Sequence, residues 1–150
     1  MSHVVSIKTE LRDLEAIRRA AAELGLQFIE NQTSYKWWGR SVVDYPLPEG
    51  FKSSDLGKCV HAIKVPGTTW EIGVAAARNA DGSPKAGFTL LWDFYGTQGA
   101  PIAAALGEGA KRFVQLYGVH KATLELQKRG LTVTRKAGAK GSIQLVATQY

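Results

Sequence analysis

The one cysteine and three histidines of this 150-residue chain are of types that bind metals or act as nucleophiles and bases: Cys59, His3, His61 and His120. A metal site needs several converging ligands, usually including a close pair in the sequence. The histidines lie far apart, and only Cys59 and His61 have such a spacing, which would place both on one face of a strand. The pair could supply two metal ligands, or His61 could act as the base for a thiolate nucleophile. Because two ligands are too few for a metal site, we expect packing or surface roles here, with no metal and no cofactor.

Asp93 and His120 are candidates for a separate acid–base site. Asp93 stands within Trp92–Tyr95, and a carboxylate among aromatic side chains could act as a general acid or base. His120 falls on a helical stripe between Tyr117 and Leu124, where a histidine is usually a hydrogen-bonded boundary residue but could act as a pH-dependent switch. An enzyme with a pocket around Asp93 and His120 is therefore one alternative. The sequence contains no Gly-x-Ser-x-Gly elbow, P-loop or Rossmann glycine pattern, so we expect no catalytic activity.

The positive charge of the chain is concentrated at its C-terminal end. From position 111 to 150, eight basic residues face one acidic residue, Glu125, a formal charge of +7, whereas the first 110 residues have eleven basic and twelve acidic side chains, a charge of −1. Such a segment indicates an acidic partner: nucleic acid, an anionic protein surface or a phosphorylated ligand. The eight are Lys111, Arg112, Lys121, Lys128, Arg129, Arg135, Lys136 and Lys140.

A second segment combines aromatic and basic side chains: Tyr35, Lys36, Trp37, Trp38 and Arg40. Aromatic and guanidinium planes stack on nucleic-acid bases, and the C-terminal cations could contact phosphates. Alternatively, adjacent tryptophans of a strand would point to opposite faces, one of them into the core. Trp, Tyr and Arg also anchor protein interfaces. The candidate binding residues are thus the five above together with Lys128, Arg129, Arg135, Lys136 and Lys140.

The elements that would position these residues begin with a β-α-β unit. Val4 to Leu11 alternates as a half-buried strand, Asp13 can cap the helix that follows, and Gly25 ends that helix before a strand over Leu26 to Glu30. Residues 45–57 are rich in Pro and Gly, which predicts a surface loop. Three strands should follow, with turns at Pro66-Gly67 and Asp81-Gly82: Cys59 to Val65, Thr69 to Ala77 and Phe88 to Tyr95.

The C-terminal part should contain a Gly/Ala-rich transition over Gly96 to Gly109, a helix from about Lys111 to Lys128, and a hairpin of Leu131 to Lys136 with Ile143 to Thr148. The predicted order is β-α-β-β-β-β-α-β-β. Two main helices on one face of a mostly antiparallel sheet make this a single-domain α+β fold. No apolar run reaches the roughly 18 residues of a membrane span. The N-terminus lacks signal-peptide features, and one cysteine excludes an internal disulfide, so we expect a cytoplasmic protein.

Several short motifs resemble a known family: Met1-Ser2-His3, Ile7-Lys8-Thr9, the capped helix after Asp13, Leu24-Gly25, Trp92 to Gly96, and Tyr117 to Gly130. The chain is similar to the family called domain of unknown function 1257, known in plastids and cyanobacteria as hypothetical chloroplast reading frame thirty-five. The resemblance implies the fold and provides no catalytic residue. Members accompany AAA-type ATPase operons in some bacteria, which implies an accessory role. The segment 45–57 and the basic C-terminal end depart from the family's compact form.

The functional prediction is therefore a non-catalytic accessory or adaptor protein that binds an acidic protein partner through a basic C-terminal surface, alongside an AAA-type ATPase system. An exposed sheet edge would add backbone pairing to such an interface. A nucleic-acid-binding protein with a basic–aromatic surface is the first alternative, and the enzyme described above is the second.

Overall fold

A computed structural model describes residues 10–39 and 47–149 of the chain. His3, Arg40 and most of the predicted first strand lie outside these residues. The last residue of that predicted strand, Leu11, forms an antiparallel bridge with Phe88.

The described part of the chain contains three α-helices: α1 (Leu14–Glu23), α2 (Gly96–Leu106) and α3 (Lys111–Lys128). The predicted cap of α1 is confirmed, since the Asp13 carboxylate accepts the Ala16 N–H at 3.1 Å. Helix α2 occupies the stretch predicted as a transition, because Ile102 and Leu106 provide a fully buried stripe despite the surrounding glycines. Gly107, at φ +80°, separates α2 from α3.

Within residues 10–39 and 47–149, four antiparallel strands form the main sheet in the order β1-β2-β3-β4, and two more form a separate hairpin. This confirms the α+β class, and the predicted order of elements is consistent with it. The strand predicted over Phe88 to Tyr95 begins and ends earlier than expected, at Pro84 and Leu91, because the turn at Asp81-Gly82 leads directly into it. The strands are β1 (Gln27–Ile29), β2 (His61–Lys64), β3 (Glu71–Arg78), β4 (Pro84–Leu91), β5 (Thr132–Ala137) and β6 (Ile143–Thr148).

Both faces of the main sheet are covered by apolar side chains. Ile63 and Ile72 face the helices and belong to the larger cluster, here called the main core. Neighbouring strand residues point the opposite way, because side chains alternate along a strand. Their side chains contribute to the second core, which is covered in part by the irregular segment 47–57. The buried residues of the second core are Tyr35, Leu56, Ala62, Ala75 and Leu91, and Trp37, Leu47, Phe51 and Cys59 pack against them.

Among the described residues, no helix combines the length and the apolar character that crossing a membrane requires.

Candidate functional site

The β5–β6 hairpin packs along helix α3. Val133 and Leu145 are half-buried on its inner face, and Ile143 packs against the main core. The tip of the hairpin reaches back to the first half of α3, where the Gln115 side-chain amide donates to the Gly141 carbonyl at 2.9 Å. Strand β5 therefore runs antiparallel to α3, and the cations of the hairpin are distributed along that helix.

Glu23, at the end of α1, joins three elements through one carboxylate. Arg135 of β5 donates from Nη1 to both carboxylate oxygens, at 3.0 and 2.9 Å, and His120 Nε2 of α3 lies 2.9 Å from Oε1. Partial burial acts to raise the pKa of Glu23, but the hydrogen bonds from Arg135 and His120 outweigh it and leave that pKa below its usual value. The charge of Arg135 is thus neutralised within the molecule.

Arg135 and Lys136 point to opposite faces of the hairpin. Arg135 pairs with half-buried Leu145 on the inner face, whereas Lys136 pairs with exposed Gln144 on the outer one. Lys140 lies at the tip, next to Gly141, while Lys128 and Arg129 lie at the opposite end of α3. An 18-residue helix is about 27 Å long. The predicted C-terminal group is consequently spread over the length of α3.

Seven of the eight C-terminal cations make no ion pair with any carboxylate in the part of the chain that the structure describes. Six of them are exposed and Lys121 is half-buried. We refer to these seven cations, which are spread along α3 and the hairpin, as the basic helix–hairpin surface: Lys111, Arg112, Lys121, Lys128, Arg129, Lys136 and Lys140.

The aromatic segment contributes mostly to packing. Tyr35 is 4% exposed, and its ring lies on Gly73, where a Cβ atom would overlap it. Burial raises the pKa of the Tyr35 hydroxyl. Trp37 packs in the same way against Gly57, whereas Trp38 is 40% exposed. Of the two alternatives for the tryptophan pair, Trp37 is the packed residue and Trp38 the accessible one.

This aromatic segment and the basic helix–hairpin surface lie on different sides of the main sheet. Tyr35 and Trp37 belong to the second core, while α3 packs on the main core through Phe113 and Tyr117. The sheet separates these two rings from the C-terminal cations, so Tyr35 and Trp37 do not belong to the same surface as those cations.

Asp93 and His120 are likewise separated. Asp93 is fully buried, and its Oδ1 accepts the Tyr95 N–H at 3.0 Å just before α2 begins. The charge of Asp93 contributes to the raised pKa of Tyr35, a residue of the second core, which places Asp93 on that side of the sheet. His120 contacts Glu23 on the helix side. The two residues do not line one pocket.

The predicted shared face of Cys59 and His61 is wrong. Strand β2 begins only at His61, so the alternation does not extend back to Cys59. The Cys59 thiol packs against the second core and donates to the Gln32 carbonyl at 3.2 Å, and burial raises its pKa to about 11.

His61 lies on the main-core side of the sheet, between the rings of Phe28 and Phe88, with centroids at 5.4 and 5.9 Å. Its Nδ1 accepts the Asn31 N–H at 2.9 Å, which fixes the neutral Nε2–H tautomer in this arrangement. No group of three or more His, Cys, Asp or Glu side chains within residues 10–39 and 47–149 could hold a metal ion.

A cleft of about 480 Å³ opens where β2 ends and β3 begins. Lys36, Lys64, Trp70 and Glu71 line it together with Gln27 and the turn between the strands. Sequence reasoning identified only Lys36 of these residues. The Pro66-Gly67 turn held the missing signal, because a hairpin around it places Lys64 opposite Glu71, the register that is observed.

Comparison of the chain with protein-family models, with curated proteins and with solved structures finds no match.

Proposed function

We propose that this protein is a non-catalytic accessory or adaptor protein that binds an acidic protein partner through the basic helix–hairpin surface. The observation that carries the proposal is the contrast in ion pairing between the two parts of the chain. Five of the nine described basic side chains before position 111 pair with a nearby carboxylate, namely Arg12, Arg18, Arg19, Arg78 and Lys85, whereas only Arg135 of the eight C-terminal cations does so in the described part. Acidic side chains of a partner would supply the missing counter-charges.

The hairpin also supports a protein partner. Strands β5 and β6 pair only with each other among the described residues, so each has an outer edge whose backbone groups could pair with an added strand. On the outer face, Val146 is 38% exposed and provides an apolar contact next to Lys136. Tyr35 and Trp37 are engaged in packing, which reduces the stacking platform that a nucleic-acid-binding protein would use.

The family resemblance directs the choice of partner. Members of that family accompany AAA-type ATPases in some bacteria, so a component of such a system is the first partner to test. We include membership of that family in the proposal.

The test is a pull-down at physiological salt, with and without nuclease, using three forms of the chain. The surface variant Lys128→Glu/Arg129→Glu reverses two unpaired cations. The control variant Lys52→Glu/Lys58→Glu changes the net charge by the same amount at exposed lysines of the segment 47–59, which also form no ion pair with described carboxylates. Arg135 is avoided because its reversal would break the contact with Glu23.

We expect a defined protein partner that survives nuclease treatment, is lost with the surface variant and is retained by the control variant. Recovery of nucleic acid alone, with an empty sample after nuclease, would contradict the proposal in favour of the nucleic-acid alternative. Equal loss with both variants would show that only net charge matters.

A further inference from the structure

The cleft at the end of the main sheet is built around a pair of reciprocal hydrogen bonds. The Lys36 N–H donates to Glu71 Oε1 at 3.0 Å, and the Glu71 N–H donates to the Lys36 carbonyl at 2.8 Å. Glu71 is 4% exposed, and the Gln32 amide donates to both of its oxygens, at 3.1 and 3.2 Å. A buried carboxylate that accepts three hydrogen bonds therefore holds the backbone of Lys36 in place at the rim of the cleft.

The opposite wall is fixed as well. Gln98, in α2, accepts from the Thr68 hydroxyl at 2.6 Å and from the Thr69 N–H at 2.9 Å, which joins the turn after β2 to that helix. The cleft therefore has two preorganised walls, and a preorganised site loses less conformational freedom when a ligand binds.

The groups that remain to contact a ligand are two ammonium groups and an indole. Lys36 and Lys64 are exposed and form no ion pair with the described carboxylates, while Trp70 is half-buried against the main core and lines the cleft. Two lysines against one carboxylate leave a net positive site, which selects an anion. An indole face selects a flat ring by stacking.

We infer that this cleft binds a small organic anion that carries a flat ring, the chemistry shared by nucleotides and aromatic carboxylic acids. Its volume lies within the range of about 300–1,000 Å³ that is usual for small-molecule sites. Lys36 and Lys64 contact the anionic group, Trp70 contacts the ring, and Glu71 is a positioning residue that holds Lys36. The site is separate from the basic helix–hairpin surface and does not depend on the function proposed above.

The experiment follows the indole N–H signals of the full chain by NMR during titration with AMP, 1-naphthoate, adenosine and inorganic phosphate. The Trp70→Phe variant assigns the Trp70 signal among those of the four tryptophans. We expect AMP or 1-naphthoate to shift this signal at millimolar concentration, and adenosine and phosphate to act at least about tenfold more weakly, since each lacks one of the two contacts. The stronger of the two anions identifies the source of the ligand.

Variants separate specific binding from a general effect of charge. Lys64→Gln should weaken binding about tenfold or more, while Lys58→Gln, at an exposed lysine that does not line this cleft, should leave it unchanged. Glu71→Gln tests the positioning role: loss of the negative charge alone would strengthen the binding of an anion, so weaker AMP binding, with the other indole signals unmoved, is expected only if Glu71 acts by holding Lys36. The inference is overturned if the Trp70 signal does not move up to about 10 mM of either aromatic anion, if phosphate alone acts as strongly, or if the two lysine variants behave alike.

Discussion

Replacing Glu23 by Gln should destabilise the fold, because it removes the carboxylate that contacts both Arg135 and His120. Charge-assisted hydrogen bonds contribute roughly 1.5–3 kcal/mol when well shielded, and exposed ion pairs roughly 0.2–1 kcal/mol. The side chains of Glu23 and Arg135 are 33% and 40% exposed, between these limits. With the two oxygens bonded to Arg135 and one also to His120, the free energy of unfolding should fall by about 1–2 kcal/mol at pH 7.

Urea unfolding followed by circular dichroism at several pH values measures this loss. The pKa of Glu23 is lowered in the folded chain from 4.5, so its stabilising effect is present above pH 4.5 and is lost as the pH falls through the lower folded value. The difference in the free energy of unfolding between wild type and Glu23→Gln should therefore disappear at acid pH, where the wild-type carboxyl is itself neutral.

Glu15→Gln on the same helix is the matched control. Glu15 pairs with Arg18 and Arg19, but its side chain is 48% exposed, so its loss should cost at most about 0.5 kcal/mol. Equal costs for Glu23→Gln and Glu15→Gln, or a Glu23 gap that persists unchanged at pH 3, would refute this account of the contact.

The remaining predictions each concern one residue. Gly118→Ala in α3 should raise the free energy of unfolding by about 0.5–1 kcal/mol, because the added Cβ meets open space and helical Gly is entropically costly. Gly99→Ala in α2 should instead lower the free energy of unfolding by about 1–3 kcal/mol, because the added Cβ would overlap the backbone of Phe94. Urea unfolding checks both, and a gain of stability for Gly99→Ala would contradict the packing described for α2. At pH 8, Cys59 should react with a disulfide reagent at least about tenfold more slowly in the folded chain than in urea, because burial raises its pKa from 9.0 to about 11 and lowers the thiolate fraction, which the greater nucleophilicity of a more basic thiolate offsets only in part. Equal rates would mean that the thiol is not shielded.

Features set by local signals could be predicted from the sequence. The Asp13 cap, the stop at Gly25 and the hairpin turns depend on a few neighbouring residues, and the structure contains all of them. Helix α2 was missed because its glycines argue against a helix locally, and burial of Ile102 and Leu106 overrides them.

The candidate sites depend on contacts between distant positions, which single-sequence reasoning does not provide. Arg135 and Glu23 are 112 residues apart, and nothing near either one indicates that they pair. Cys59 shows the complementary problem: the period of two held within β2, but the strand began two residues later than the pattern suggested.

The second core has a practical consequence for work on this chain. Leu47, Phe51 and Leu56 act as a lid of side chains over the far face of the main sheet, although most of that segment has no regular secondary structure. A shortened version without residues 47–57 would expose Ala62, Ala75 and Leu91 to solvent, and the resulting apolar patch would promote self-association.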